Sequence, residues 1–270
     1  MLGCTAMIIR LMLMLAGTGL LAFGLQSVTR AATFEERQTR MAGITYKYKI
    51  VKPENWSRRK KWPVVLFLHG AGERGNDNLA QTRVGLGPAL GNQPSRSAVF
   101  VMPQCPLDRW WSEPEMQNLA LRALNEAVTE FKGDSSRLYL TGLSMGGYGT
   151  WVIVKNNPKK FAALAVICGG VKRPAGVPVP ASMRNQPEPP DPYGSVAEKV
   201  GSTPVWVFHG GADPVVPVRE SKRMVEAIKA VKGDVKYTEY DGVGHNSWDM
   251  AYGEADFFTW LLSKRLKKQH

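Results

Sequence analysis

The sequence predicts an α/β fold: a mostly parallel sheet of about seven or eight strands with helices on both faces. Three observations carry this expectation. Short continuous apolar runs recur along the chain, segments of helical spacing lie between them, and several of the runs close on glycine-rich turns. An unbroken apolar run of about 4–8 residues reads as a strand covered on both faces, as parallel sheets require.

The elements follow in order. ITYKYKIV (44–51) alternates apolar and polar, as a half-exposed edge strand does. PVVLFLHG (63–70), AVFVMPQC (98–105), RLYLTG (137–142), FAALAVICGG (161–170) and PVWVFHGG (204–211) are the buried kind, and VKYTEYDG (235–242) alternates again. Helical spacing marks 113–133, where Leu119, Leu121, Leu124, Val128 and Phe131 recur at roughly helical intervals and Gly133 is a stop signal. It marks 216–233 through Met224, Val225, Ile228 and Val231, and a C-terminal helix is expected over 253–266. The proline-crowded stretch 173–194 excludes a regular helix or inner strand, so it is expected to be an insertion loop over one end of the sheet. It is either a plain surface loop or a partial cover for a site.

The ends and the charge limit the function classes. Leu11–Leu25 carries no charge and follows Arg10, with small residues near 24–32. That run has the length of a signal-peptide core and is short for a membrane span. Residues 1–32 are therefore expected to be a removable signal segment, an uncleaved anchor being the alternative. A single domain over 33–270 follows, secreted or periplasmic and without stable membrane association after cleavage. The formal net charge is +12, from 35 Lys and Arg against 23 Asp and Glu, but the cations are dispersed. No nucleic-acid motif accompanies them, which points to solvated surface charge rather than a nucleic-acid partner. Three cysteines make no disulfide framework. Cys105 and Cys168 are expected as buried free thiols, a bridge between them being the alternative. No metal motif, dinucleotide fingerprint or P-loop is present, so neither metal nor cofactor is expected.

The chemistry gathers at RLYLTGLSMGGYGTW (137–151), where Gly142-Leu143-Ser144-Met145-Gly146 stands between a strand and a helix-compatible run. A strand–turn–helix around G-x-S-x-G is the context a nucleophile elbow needs. A serine hydroxyl requires a base. Of the four histidines, His270 ends a charged tail, and His69 and His209 each end a strand as His-Gly. His245, in DGVGHNSWD past the last strand, is the candidate base. Asp213, in VFHGGADPVVP, opens at the same sheet edge and is the candidate carboxylate, ahead of Asp241 and Asp249, which share the strand and loop of His245. FLHGAGERG (67–75) can turn backbone N–H groups inward, which makes the amides of Ala71 and Met145 the candidate oxyanion hole. Glu73 and Arg74 are expected to pair with each other and orient that loop, contact with substrate being the alternative. Trp110, Trp111 and Trp248 flank the inferred site, either to stack on a substrate ring or to pack the loops as core.

The set LFLHGAGERGND, TGLSMGGYGTW, VFHGGADPVVP and GVGHNSWD resembles the α/β-hydrolase superfamily. It looks most like the secreted esterase and "predicted peptidase" group, related to feruloyl esterases, polyhydroxybutyrate-depolymerase-like enzymes and phospholipase/carboxylesterases. The likeness spans residues 44–262. It implies a Ser144–Asp213–His245 triad and an oxyanion hole at Ala71 and Met145. The proline-rich 173–194 segment departs from that group. The function expected is a secreted serine carboxylic-ester hydrolase for a small-molecule or carbohydrate-linked ester. A serine peptidase for short peptides and an inert binding protein of the same fold are the alternatives.

Overall fold

The apolar runs do become strands. The computed structural model describes residues 32–91, 97–172, 179–184 and 189–266. Its elements run β1 (Glu35–Met41), β2 (Ile44–Val51), β3 (Trp62–Leu68), 3-10 turns at Ala71–Glu73 and Ala80–Thr82, α1 (Leu86–Gly91), β4 (Val99–Pro103), α2 (Pro114–Glu130), β5 (Gly133–Leu143), α3 (Met145–Asn156) and β6 (Ala163–Ile167). After these come α4 (Ala181–Arg184), α5 (Pro192–Val200), β7 (Val205–Gly210), α6 (Arg219–Ala230), β8 (Val235–Tyr240), α7 (Trp248–Gly253) and α8 (Phe257–Ser263). Among the described residues the eight strands form one sheet, in the order β1-β2-β4-β3-β5-β6-β7-β8. β2 is antiparallel to β1 and β4, and every pairing from β4 to β8 is parallel.

The parallel strands are buried on both faces because helices cover both. Val64, Leu66, Leu138, Leu140, Val205 and Val207 point to the core shared with α2, α3, α5 and α6. Their neighbours Val65, Phe67, Tyr139, Trp206 and Phe208 point the other way, to α1, α7 and α8. The period of two therefore survives inside runs that are apolar throughout. One consequence matters for function: all parallel strands end at one edge, and the loops that follow β3, β5, β7 and β8 meet there.

Three expectations change. β1, EERQTRM, is a strand that carries almost no apolar signal; ion pairs of Arg37 with Glu35 and Glu130 and a hydrogen bond from Thr39 to Glu126 hold it at the edge. The proline-rich stretch is not all loop, because α4 lies within it and α5 begins in it at Pro192. Proline suits the first turn of a helix, where its missing N–H costs nothing, and the Asp191 carboxylate caps that turn by accepting from the Gly194 N–H at 2.9 Å. Residues 173–178 and 185–188 of that stretch lie outside the described residues. The helix expected over 253–266 is present but shorter, as α8, and α7 precedes it where no helix is expected. Apart from Ala32, the expected signal segment also lies outside the described residues, and no helix among those described is long and apolar enough to cross a membrane.

Candidate active site

Ser144 sits on the sharp turn between β5 and α3, with φ 51° and ψ −117°. A positive φ is uncommon away from glycine, and such strain persists only where the surroundings enforce it. Here they do. The Ser144 N–H donates to Ile167 O at 3.0 Å, and its carbonyl accepts from the N–H groups of Gly147 and Tyr148 at 2.8 and 3.1 Å. The flanking glycines are required by space: a Cβ on Gly142 would lie 2.3 Å from Gly146 O, and one on Gly146 only 1.9 Å from Leu68 O. Both obstacles are backbone and cannot rotate away. Gly146→Ala is accordingly expected to cost about 3 kcal/mol or more of stability, the upper end of overpacking penalties. A chemical-denaturation midpoint equal to that of the native chain would contradict this.

The fold brings three remote side chains into contact at the sheet edge. His245 Nε2 lies 2.9 Å from Ser144 Oγ, and His245 Nδ1 lies 2.7 Å from Asp213 Oδ2. The Asp213 side chain is fully buried, whereas the imidazole keeps 19% of its surface exposed. Asp213 is fixed from several sides: Oδ1 accepts the N–H groups of Val215 and Val216 at 2.8 and 3.0 Å, and His209 Nε2 stands 3.3 Å from Oδ2. Burial pushes its carboxyl pKa up. The hydrogen bonds from His209, His245, Val216 and Val215 outweigh burial and hold it well below the usual carboxylate range. With a carboxylate on Nδ1, the Nδ1–H tautomer leaves Nε2 as an acceptor facing the serine hydroxyl.

The loop after β3 is held by a buried ring. His69 Nε2 accepts the Cys105 N–H at 2.9 Å, so Nδ1 carries the hydrogen and donates to Gly70 O at 2.6 Å. Burial brings the pKa of His69 down to about 4. Gly70 C=O and Ala71 N–H belong to one planar trans peptide, so anchoring the carbonyl also aims the N–H. No hydrogen bond among the described residues uses the Ala71 or Met145 N–H as donor. Glu73 and Arg74 do not pair with each other. Arg74 Nε donates to Ala71 O at 2.9 Å, while the Glu73 carboxylate folds back over Gly70.

Two of the three tryptophans are core rather than contact surface. Trp111 has no exposed surface; its Nε1 donates to His69 O at 3.0 Å, and Gly149 is glycine because a Cβ there would stand 2.4 Å from Trp111 Cβ. Trp110 is buried edge-on against Tyr148, and its backbone N–H donates to Glu113 Oε1 at 2.7 Å. Both pin the loop after β4 to α3, because packing α3 needs a large apolar body there. Only Trp248 stays at the site, half-buried with its ring edge-on to His245 at 5.3 Å. Trp111→Ala is therefore expected to cost about 3–5 kcal/mol in stability, as for other buried tryptophans. A normal denaturation midpoint with a raised KM would restore Trp111 to the substrate.

Comparison with known proteins gives the chain a family. The sequence profile of the dienelactone hydrolase family matches residues 107–249, more than half of the chain. The chain belongs to the dienelactone hydrolase family. "Probable feruloyl esterase C" of Aspergillus terreus is 30% identical over 121 residues, 44% of each chain. An "Uncharacterized secreted protein" of Arthroderma benhamiae is 26% identical over 222 residues, 75% of this chain and 23% of that one. Among solved structures, a thermostable esterase superposes with TM-score 0.70 at 29% identity, covering 86% of this chain and 63% of its own. The chain thus spans less than half the length of these two curated relatives. Ser144, Asp213 and His245 all fall in the dienelactone hydrolase segment, whereas His69, Ala71 and Glu73 precede it.

The placement of three residues beside the candidate site escapes sequence reasoning. Cys168 closes β6 with φ 40°, and together with Asp213 and His245 it brings potential metal ligands within 4.8 Å of one another. A metal there would break the Asp213–His245 bond and need a thiolate, whereas burial pushes the Cys168 thiol up. Cys105 and Cys168 are both free and buried. His69 reads in sequence only as a strand-ending His-Gly, and Glu73 as half of an ion pair or as a substrate contact; direction along the loop, which sequence does not carry, decides both.

Proposed function

We propose that this chain is a serine carboxylic-ester hydrolase, exported through its N-terminal leader, acting on short-chain, aryl or carbohydrate-linked esters. The observation that carries the reading is the unbroken hydrogen-bond chain from Ser144 Oγ through His245 to Asp213. Ser144 Oγ attacks the ester carbonyl while His245 Nε2 takes its proton, and the imidazolium so formed is stabilised by the Asp213 carboxylate. The carbonyl oxygen becomes an oxyanion held by the N–H groups of Ala71, in the turn after β3, and Met145, at the start of α3, where each such donor is worth about 10²–10³ in rate. His245 then protonates the leaving alcohol, and water cleaves the acyl-enzyme by the same steps in reverse. The likeness to a feruloyl esterase, an esterase and a secreted protein supports the ester bond and the export.

The test is a substrate panel on the purified chain: p-nitrophenyl acetate and butyrate, methyl ferulate and acetylated sugars, against short peptide amides. Turnover of one or more esters with little peptide cleavage is expected. Cleavage of the peptides alone would replace the ester by an amide bond.

A further inference from the structure

One charge beside the nucleophile has no part in those steps. A Cβ placed on Gly70 would stand 2.9 Å from Glu73 Oε2 and 3.7 Å from Ser144 Cβ, so the Glu73 carboxylate and the catalytic turn border the same point. Among the described residues no cation pairs with Glu73. Its neighbour Arg74 is turned onto Ala71 O and acts electrostatically on Cys105 and His69 instead. Burial raises the carboxyl, and the amides of Gly70 and Glu73 offset this only in part. A carboxylate here, held by two backbone amides but by no cation, repels the oxyanion that develops on the substrate. It is tolerated in a reactive site when the substrate itself brings donors to it.

Those donors are hydroxyls: the chain's formal charge of +12 repels cationic esters at long range, and the Glu73 carboxylate repels anionic ones at contact. The half-buried Trp248 ring beside His245 offers an aromatic face of the kind that sugar rings stack on. We propose that Glu73 is a specificity-determining residue: its carboxylate accepts hydrogen bonds from substrate hydroxyls, so the site prefers uncharged, polyhydroxylated esters and disfavours esters with a carboxylate of their own. This rests on the ester-hydrolase reading above.

The experiment compares kcat/KM on a methyl xyloside monoacetate and on monoethyl succinate for the native chain, Glu73→Gln and Glu73→Ala. Gln keeps an oxygen to accept from the Gly70 N–H, so the loop stays anchored while the charge goes. The ratio of sugar ester to succinate ester is expected to fall at least tenfold in both variants, chiefly through KM. An equal loss on both substrates would make Glu73 only a prop for the loop, and an unchanged ratio would remove it from recognition altogether; either overturns the proposal. p-Nitrophenyl acetate, run alongside on the native chain, separates the two ideas. Its hydrolysis with an unchanged ratio defeats the Glu73 assignment alone, whereas no hydrolysis of any ester defeats the underlying reaction.

Discussion

Ser144→Ala lowers kcat by on the order of 10⁴–10⁶ on p-nitrophenyl acetate, and the chain keeps its fold. The hydroxyl is half-buried and its hydrogen-bond partner is the His245 ring, so removing the oxygen frees no structural bond. The backbone hydrogen bonds that hold the turn stay in place, because they use the amide and carbonyl of residue 144. His245→Ala is expected to match Ser144→Ala, and the double variant to be no worse than either alone, because groups that act as a unit do not add. Circular dichroism checks the fold and stopped-assay kinetics the rate. Native rates in either variant would remove both residues from the chemistry.

The second large effect is expected at Asp213→Asn, about a 10⁴-fold loss of kcat with substrate binding little changed. The Val215 and Val216 amides claim an acceptor at this position, so the amide oxygen of Asn takes it and its NH₂ turns to the imidazole. The ring must then accept at Nδ1 and carry its hydrogen on Nε2, facing Ser144, where it cannot take a proton. Stability should respond too, with a definite pH sign. The Asp213 carboxyl is depressed in the folded chain, so its stabilisation is full above the ordinary aspartate value of about 4 and fades as pH falls through the lower folded value. The gap in denaturation midpoint between native chain and variant should therefore narrow from about pH 6 to about pH 3. A gap that widens toward acid would contradict the hydrogen-bond account of this carboxylate.

How much of this was readable depends on which physical signal each residue carries. The inner strands β3 to β7 announce themselves because burial on both faces keeps their central residues apolar. β1 does not, because an edge strand stabilised by Arg37, Glu130 and Thr39 looks like a charged loop. Ser144, Asp213 and His245 could be singled out because each follows a strand at the same edge, and proximity there is topological. Side-chain direction is another matter. Trp110 and Trp111 follow β4, which ends at the same edge, yet both turn inward, since filling the space beneath α3 decides their orientation. Glu73 and Arg74 are adjacent and opposite in charge, yet backbone geometry sends them apart. The prolines of 173–194 argue against a helix in the sequence, yet Pro192 starts one, a distinction that depends on the Asp191 cap.

The most direct measurement is covalent labelling of the purified chain with a fluorophosphonate, followed by peptide mass spectrometry. A serine activated by a neighbouring imidazole should form one adduct, on the peptide containing Ser144, and His245→Ala should slow its formation by orders of magnitude. No adduct at Ser144, or labelling that proceeds unchanged without the His245 ring, would contradict the convergence of these residues into one reactive group.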